Sequence, residues 1–189
     1  MINGQSNTLL INVSNYPGFI LNNNPTYTNI IIKNLIINPT NSLYTLANYS
    51  GWICQAGFCN GTISFCNTNG IIPENGGGIC GSQSYNCEIS NCFSTGEISL
   101  YGGGILGSYT QNCNVSKSYS IGLIGSYAGG IFGFGTNYSF DGSSYSPSSI
   151  LDQDGNQINL ISNPSVGSSL SSSLVTASYS MGGCYISIR

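Results

Sequence analysis

The sequence predicts an all-β protein, a parallel and right-handed β-helix or β-solenoid wound in 26-residue coils, and three observations lead there. The segments Gly77-Gly78-Ile79-Cys80-Gly81, Gly103-Gly104-Ile105-Leu106-Gly107 and Gly129-Gly130-Ile131-Phe132-Gly133 align without gaps, each 26 residues after the last. Branched apolar residues and glycines recur at the same spacing elsewhere. Gly, Ser, Asn, Thr and β-branched residues dominate, which favours turns and strands over helices.

A partial fourth copy, Gly51-Trp52-Ile53-Cys54, precedes the three full ones. At constant spacing Ile11, Ile37, Ile63, Ile89 and Val115 fall in one column. Ile20, Leu46, Ile72, Ile98, Ile124 and Ile150 fall in a second. Gly18, Gly70, Gly96 and Gly122 fall in a third, with Tyr44 as the exception. Stacked coils set each residue about 4.8 Å above its counterpart, so like side chains form ladders. Repeated isoleucine then fills the interior, and repeated glycine marks places of positive φ or close backbone approach. The residues expected to build the scaffold are Ile53, Ile79, Ile105 and Ile131, Gly77, Gly103 and Gly129, with Cys66 and Cys92. Phe93, Tyr119 and Tyr145 read as an aromatic ladder, as do Tyr101 and Tyr127.

Leucine-rich repeats have a comparable length, but their leucine and asparagine pattern is absent, and helical repeats are longer. Runs such as Glu97-Ile98-Ser99-Leu100 alternate with the strand period. About six coils are expected over residues 1–150, followed by a divergent C-terminal cap or irregular Ser-rich tail over 151–189. A divergent end is what an exposed stack of strands requires.

The run Asn86-Cys87-Glu88-Ile89-Ser90-Asn91-Cys92-Phe93-Ser94-Thr95-Gly96-Glu97-Ile98, followed by Gly102 to Gly107, resembles the GLUG-type repeat. The stretch Tyr27 to Ile37, followed by Gly51-Trp52-Ile53-Cys54-Gln55, is similar to members found in giant viruses of the mimivirus type. The resemblance spans roughly residues 27–135. The repeat also occurs in bacterial surface adhesins. The resemblance implies a β-solenoid and, for the viral members, a structural or host-interaction role, and the expected location is a virion or the host cytoplasm or viral factory. The resemblance carries over no catalytic residue.

Charged residues make up 5% of the chain, three cations (Lys33, Lys117, Arg189) and six carboxylates. Nucleic-acid binding draws its affinity from several Lys or Arg neutralising phosphates, so nucleic acid is not an expected partner. The longest apolar stretch, Ile30 to Ile37, is broken by Lys33 and Asn34 and is too short to span a bilayer, so no membrane insertion is expected. No signal peptide is visible at the N-terminus.

Eight cysteines include three pairs one period apart: Cys54 with Cys80, Cys66 with Cys92, and Cys87 with Cys113. Parallel side chains aim poorly at one another for a disulfide, so reduced, buried ladders are expected. No Cys-x-x-Cys and no histidine exist, and neither a metal nor a cofactor is expected. Asp152-Gln153-Asp154-Gly155-Asn156 begins like a calcium loop, but Asn163 stands where a bidentate Glu belongs; an Asp-Gly hairpin joining Ile150-Leu151 to Ile158-Asn159-Leu160 fits better.

Paired carboxylates, as in glycan-cleaving solenoids, are not found at this spacing: Glu88 lies level with Asn114, Glu97 with Ile71 and Leu123, Glu74 with Leu100, and Asp141 with Val115. Asn-x-Ser/Thr sequons at Asn12, Asn48, Asn60, Asn114 and Asn137 are those an Asn- and Ser-rich chain produces by chance. The expected function is therefore a non-enzymatic structural or interaction element, with protein partners or self-association. A glycan-binding or glycan-cleaving solenoid is the alternative.

Overall fold

The computed structural model describes residues 1–136 throughout and, beyond them, the backbone of 140–142, 150–151, 157–158 and 174–176. In chain order the strands are β1 (Ile2–Ile11), β2 (Ile30–Pro39), β3 (Gly61–Ser64), β4 (Asn67–Thr68), β5 (Glu88–Ser90), β6 (Phe93–Ser94), β7 (Asn114–Ser116), β8 (Tyr119–Ser120), β9 (Phe140–Gly142), β10 (Ile150–Leu151), β11 (Gln157–Ile158) and β12 (Leu174–Thr176). No helix occurs among the described residues.

The chain is a parallel β-solenoid. One ladder runs β2-β3-β5-β7-β9-β12, and a second runs from the C-terminal half of β2 through β4, β6 and β8. Strand β2 serves both because it turns at Asn34 without ending. In the coils above, the same corner separates two short strands at Phe65, Asn91 and Lys117, all with positive φ. Single bridges complete each coil, Gly51 to Gly77 to Gly103 to Gly129 and Cys54 to Cys80 to Leu106 to Phe132.

The 26-residue phase holds from Tyr49 onward, where the Tyr49 N–H donates to Glu74 as Asn75 does to Leu100 and Tyr101 to Ser126. It gives about four turns, not the six expected. Before that point the coils are longer. Ile32 pairs with Ile63 where a constant spacing would give Phe58, and Thr8 pairs with Ile36 where it would give Asn34. The isoleucine column therefore reads Ile32, Ile63, Ile89, Val115, with Ile11 opposite Pro39 and Ile37 above Leu9. Ile20 bridges Cys54 and Leu46 bridges Tyr16, so only Ile72, Ile98 and Ile124 keep the second column. Gly18 leaves the third column as well, because it lies against Gly51.

Ile150 does not extend its column either. It pairs antiparallel with Ile158, and Leu151 with Gln157, as the hairpin reading requires; residues 152–156 lie outside the described residues. Strand β12 adds to the stack on β9, Leu174 opposite Phe140.

Among the described residues the interior has two compartments. The larger holds Ile53, Ile79, Ile105 and Ile131 together with Ile32, Ile63, Ile89 and Val115. The smaller holds Ile72, Ile98, Ile124 and Ala128. Side-chain volume is traded between neighbouring coils. Phe58 fills the space left by Gly61, whereas one coil on, the matching positions are Ser84 and Cys87. Trp52 replaces the glycine found at 78, 104 and 130, and its buried indole lies on Gly70. Interiors packed to crystal density require such compensation.

Candidate interaction surface

The residues predicted to build the scaffold are on the inside. Ile53 N–H donates to Ile79 O at 3.1 Å, Ile79 to Ile105 at 2.9 Å and Ile105 to Ile131 at 3.0 Å, and the four side chains are fully buried. Gly77 and Gly103 are required for close approach rather than for positive φ. A Cβ on Gly77 would overlap the Cys80 carbonyl oxygen, and one on Gly103 the Leu106 carbonyl oxygen. Among the described residues positive φ is carried mainly by asparagines and tyrosines, and Gly18, Gly57 and Gly135 are the glycines that adopt it. Asn60, Asn86 and Asn112 form one such corner, and Tyr49, Asn75, Tyr101 and Tyr127 another. Asparagine visits this region readily, and Asn86 Nδ2 donates to Asn60 Oδ1 at 3.3 Å along the stack.

Seven cysteines are buried free thiols, and Cys184 lies outside the described residues. Cys66 and Cys92 share a thiol–thiol hydrogen bond, as do Cys87 and Cys113. The Cys66 and Cys92 sulfurs also contact the carbonyls of Ser64 and Ser90, each at 3.3 Å. Within each pair the hydrogen bond lowers the pKa of the first thiol. Burial pushes Cys92 well up, and the Cys87 bond followed by burial does the same for Cys113. Burial also raises Cys54 and Cys80. Raised and enclosed, these last thiols act as small packing groups rather than nucleophiles.

The outward faces carry the exposed aromatic and apolar groups. Phe93 and Tyr119 stack at 4.9 Å between ring centroids with planes 1° apart; Tyr145 lies outside the described residues. Tyr101 and Tyr127 stack at 5.5 Å. Phe134 meets Tyr101 edge-on at 5.0 Å and Tyr109 at 5.8 Å, so four rings cluster at one corner. Sequence periodicity does not reveal Phe134, because its counterparts are Ser108, Ser82 and Ala56. Tyr119, Ile121 and Leu123 alternate outward and are each more than a third exposed.

Asn114 Nδ2 donates to Glu88 Oε1 at 2.7 Å, and Asp141 lies opposite Val115. Among the described residues no three His, Cys, Asp or Glu side chains converge as metal ligands, and no helix is long and apolar enough to cross a membrane. Of the sequon asparagines, Asn12, Asn48 and Asn114 are exposed. Asn60 is half-buried and donates to Pro25 O at 3.0 Å, and Asn137 lies outside the described residues.

Residues 73–99 match the family model of the GLUG motif. The match covers one turn of the solenoid, from Pro73 before the first full glycine block to Ser99 after Ile98. No curated protein and no solved structure is detectably similar to the chain.

Proposed function

We propose that this GLUG-motif solenoid is a non-enzymatic structural or interaction element. Following the resemblance to giant-virus members, we take it to be a virion component or a host-attachment surface. The carrying observation is where the repeated residues go. The glycines and branched apolar residues that recur with the coil are consumed in building the stack, and the outside carries stacked rings, aliphatic side chains and a strand edge among its polar residues. Among the described residues β1 is paired on one side only, by β2. Strand β1 carries no charged side chain, so it lacks the lysines and acids that keep edge strands from pairing. Leu9 and Leu10 are exposed along it.

This edge is the proposed contact, either with a second copy or with another strand-bearing protein. Sedimentation velocity across a concentration series tests it. Wild type is expected to associate, and Leu10→Lys, which adds an edge charge, is expected to shift the distribution to monomer. A wild type that stays monomeric at high concentration removes the self-association reading. A reducing-sugar assay on neutral and acidic polysaccharides tests the non-enzymatic half, since release by purified protein would contradict it.

A further inference from the structure

The surface of the described residues carries an indentation whose position follows from the register. Ile36 pairs with Asn67, where the 26-residue phase would give Thr62, whereas Tyr49 is already in that phase. The surplus residues therefore fall between 37 and 48. They form a loop that faces the next coil across a cleft of about 290 Å³. Insertions into solenoid repeats project as loops on one face, which is commonly the binding face.

Thr40, Asn41, Ser42 and Tyr44 form one wall of the cleft; Asn69 and Ile71 form the other. Gly70 is the floor. It has no side chain because the Trp52 indole occupies the space beneath it, with Nε1 donating to Ile71 O at 3.2 Å. The loop is held in place from several sides. Thr40 N–H donates to Ile11 O at 2.8 Å, Ser14 Oγ to Leu43 O at 3.3 Å and Leu43 N–H to Asn41 Oδ1 at 2.9 Å. Asn69 N–H donates to Asn38 Oδ1 at 2.9 Å, which ties the opposite wall to the end of β2. A cleft braced in this way costs little ordering on binding.

The chemistry of the lining narrows the ligand. No Asp, Glu, Lys or Arg contributes to it. The hydroxyls of Thr40, Ser42 and Tyr44 and the amide of Asn69 make no side-chain hydrogen bond among the described residues, so they are available to a ligand. Pro39, Ile71 and the Tyr44 ring add apolar surface. Neutral donors and acceptors beside apolar surface suit an uncharged molecule rich in hydroxyls with an apolar face, and the volume sits at the small end of the roughly 300–1,000 Å³ of ligand pockets. We propose that this cleft is a subsite for one uncharged sugar unit of a glycan. The proposal builds on the interaction reading above and names a ligand class for it.

The test is an amide-resolved NMR titration of the whole chain with galactose, mannose, N-acetylglucosamine and N-acetylneuraminic acid. A neutral sugar is expected to shift amides of 40–44 and 69–71, and Asn69→Ala is expected to weaken that sugar about tenfold, the value of one lost hydrogen bond to a bound ligand. Tyr44→Phe, which keeps the ring, is expected to weaken it less than Tyr44→Ala, and the spectrum itself reports whether each variant is folded. Absence of shifts at the cleft with every neutral sugar overturns the proposal. So does a preference for the acidic sugar, or shifts confined to the Tyr101 and Tyr127 corner. None of these outcomes bears on association through β1, which sedimentation reads separately.

Discussion

Gly103 shows what the 26-residue phase demands of one residue. Its Cα comes so close to the Leu106 carbonyl and to Gly133 of the next coil that no Cβ fits. Gly103→Ala is expected to cost about 3 kcal/mol or more, because backbone rather than a flexible side chain must move; urea unfolding measures it. Lys117 is the converse case. It holds φ at 49° in the column where Asn91 stands one coil earlier. Lys117→Asn is expected to gain about 1 kcal/mol by easing a left-handed backbone that asparagine tolerates, read from the thermal midpoint.

Tyr16 links a single residue to pH. Burial raises its phenol to about 12, and its hydroxyl has no hydrogen-bond partner among the described residues. Its folded value lies above its unfolded value, so its contribution is intact below about pH 10 and lost as pH climbs toward 12. Tyr16→Phe is expected to flatten the fall in melting temperature across that window. A slope unchanged from wild type refutes the assignment. At this scale the glycine and isoleucine repeats are legible in the sequence because close backbone approach admits only glycine and the interior keeps a branched apolar side chain at the same place in each coil. The left-handed corners at Tyr49, Tyr101 and Tyr127 are not, since tyrosine carries no turn signal.

Among elements, β2 explains why a constant spacing misreads the early register. Its sequence offers Ile30, Ile31, Ile32, Ile36 and Ile37, so any such spacing finds an isoleucine to align. Apolar degeneracy leaves register to turn lengths, and the surplus loop after β2 changes those lengths. That loop has no periodic signature, which is why the cleft is invisible in the sequence while the coils above it are not. Strand β1, paired on one side, is expected to exchange its amide hydrogens fastest among the long strands, and Ile63, Ile89 and Val115, flanked by strands on both sides, slowest. Uniform protection along the stack would contradict the one-sided pairing.

On the scale of the whole molecule, stability is shared between neighbouring coils, so the fold is a stack whose cohesion is set contact by contact. The thiol pairs fit that picture, each joining one coil to the next without a covalent link. Near-absence of charge leaves little repulsion between molecules, and β1 carries no charged side chain at all.

From Tyr49 onward the stack depends on residues 26 apart lying in adjacent rungs. Nuclear Overhauser spectroscopy of protein labelled at the isoleucine δ-methyls tests this directly. The predicted result is strong cross-peaks from Ile79 to Ile105 and from Ile105 to Ile131, with a much weaker one from Ile79 to Ile131. Absence of the two nearest-neighbour cross-peaks in folded protein would contradict the stack.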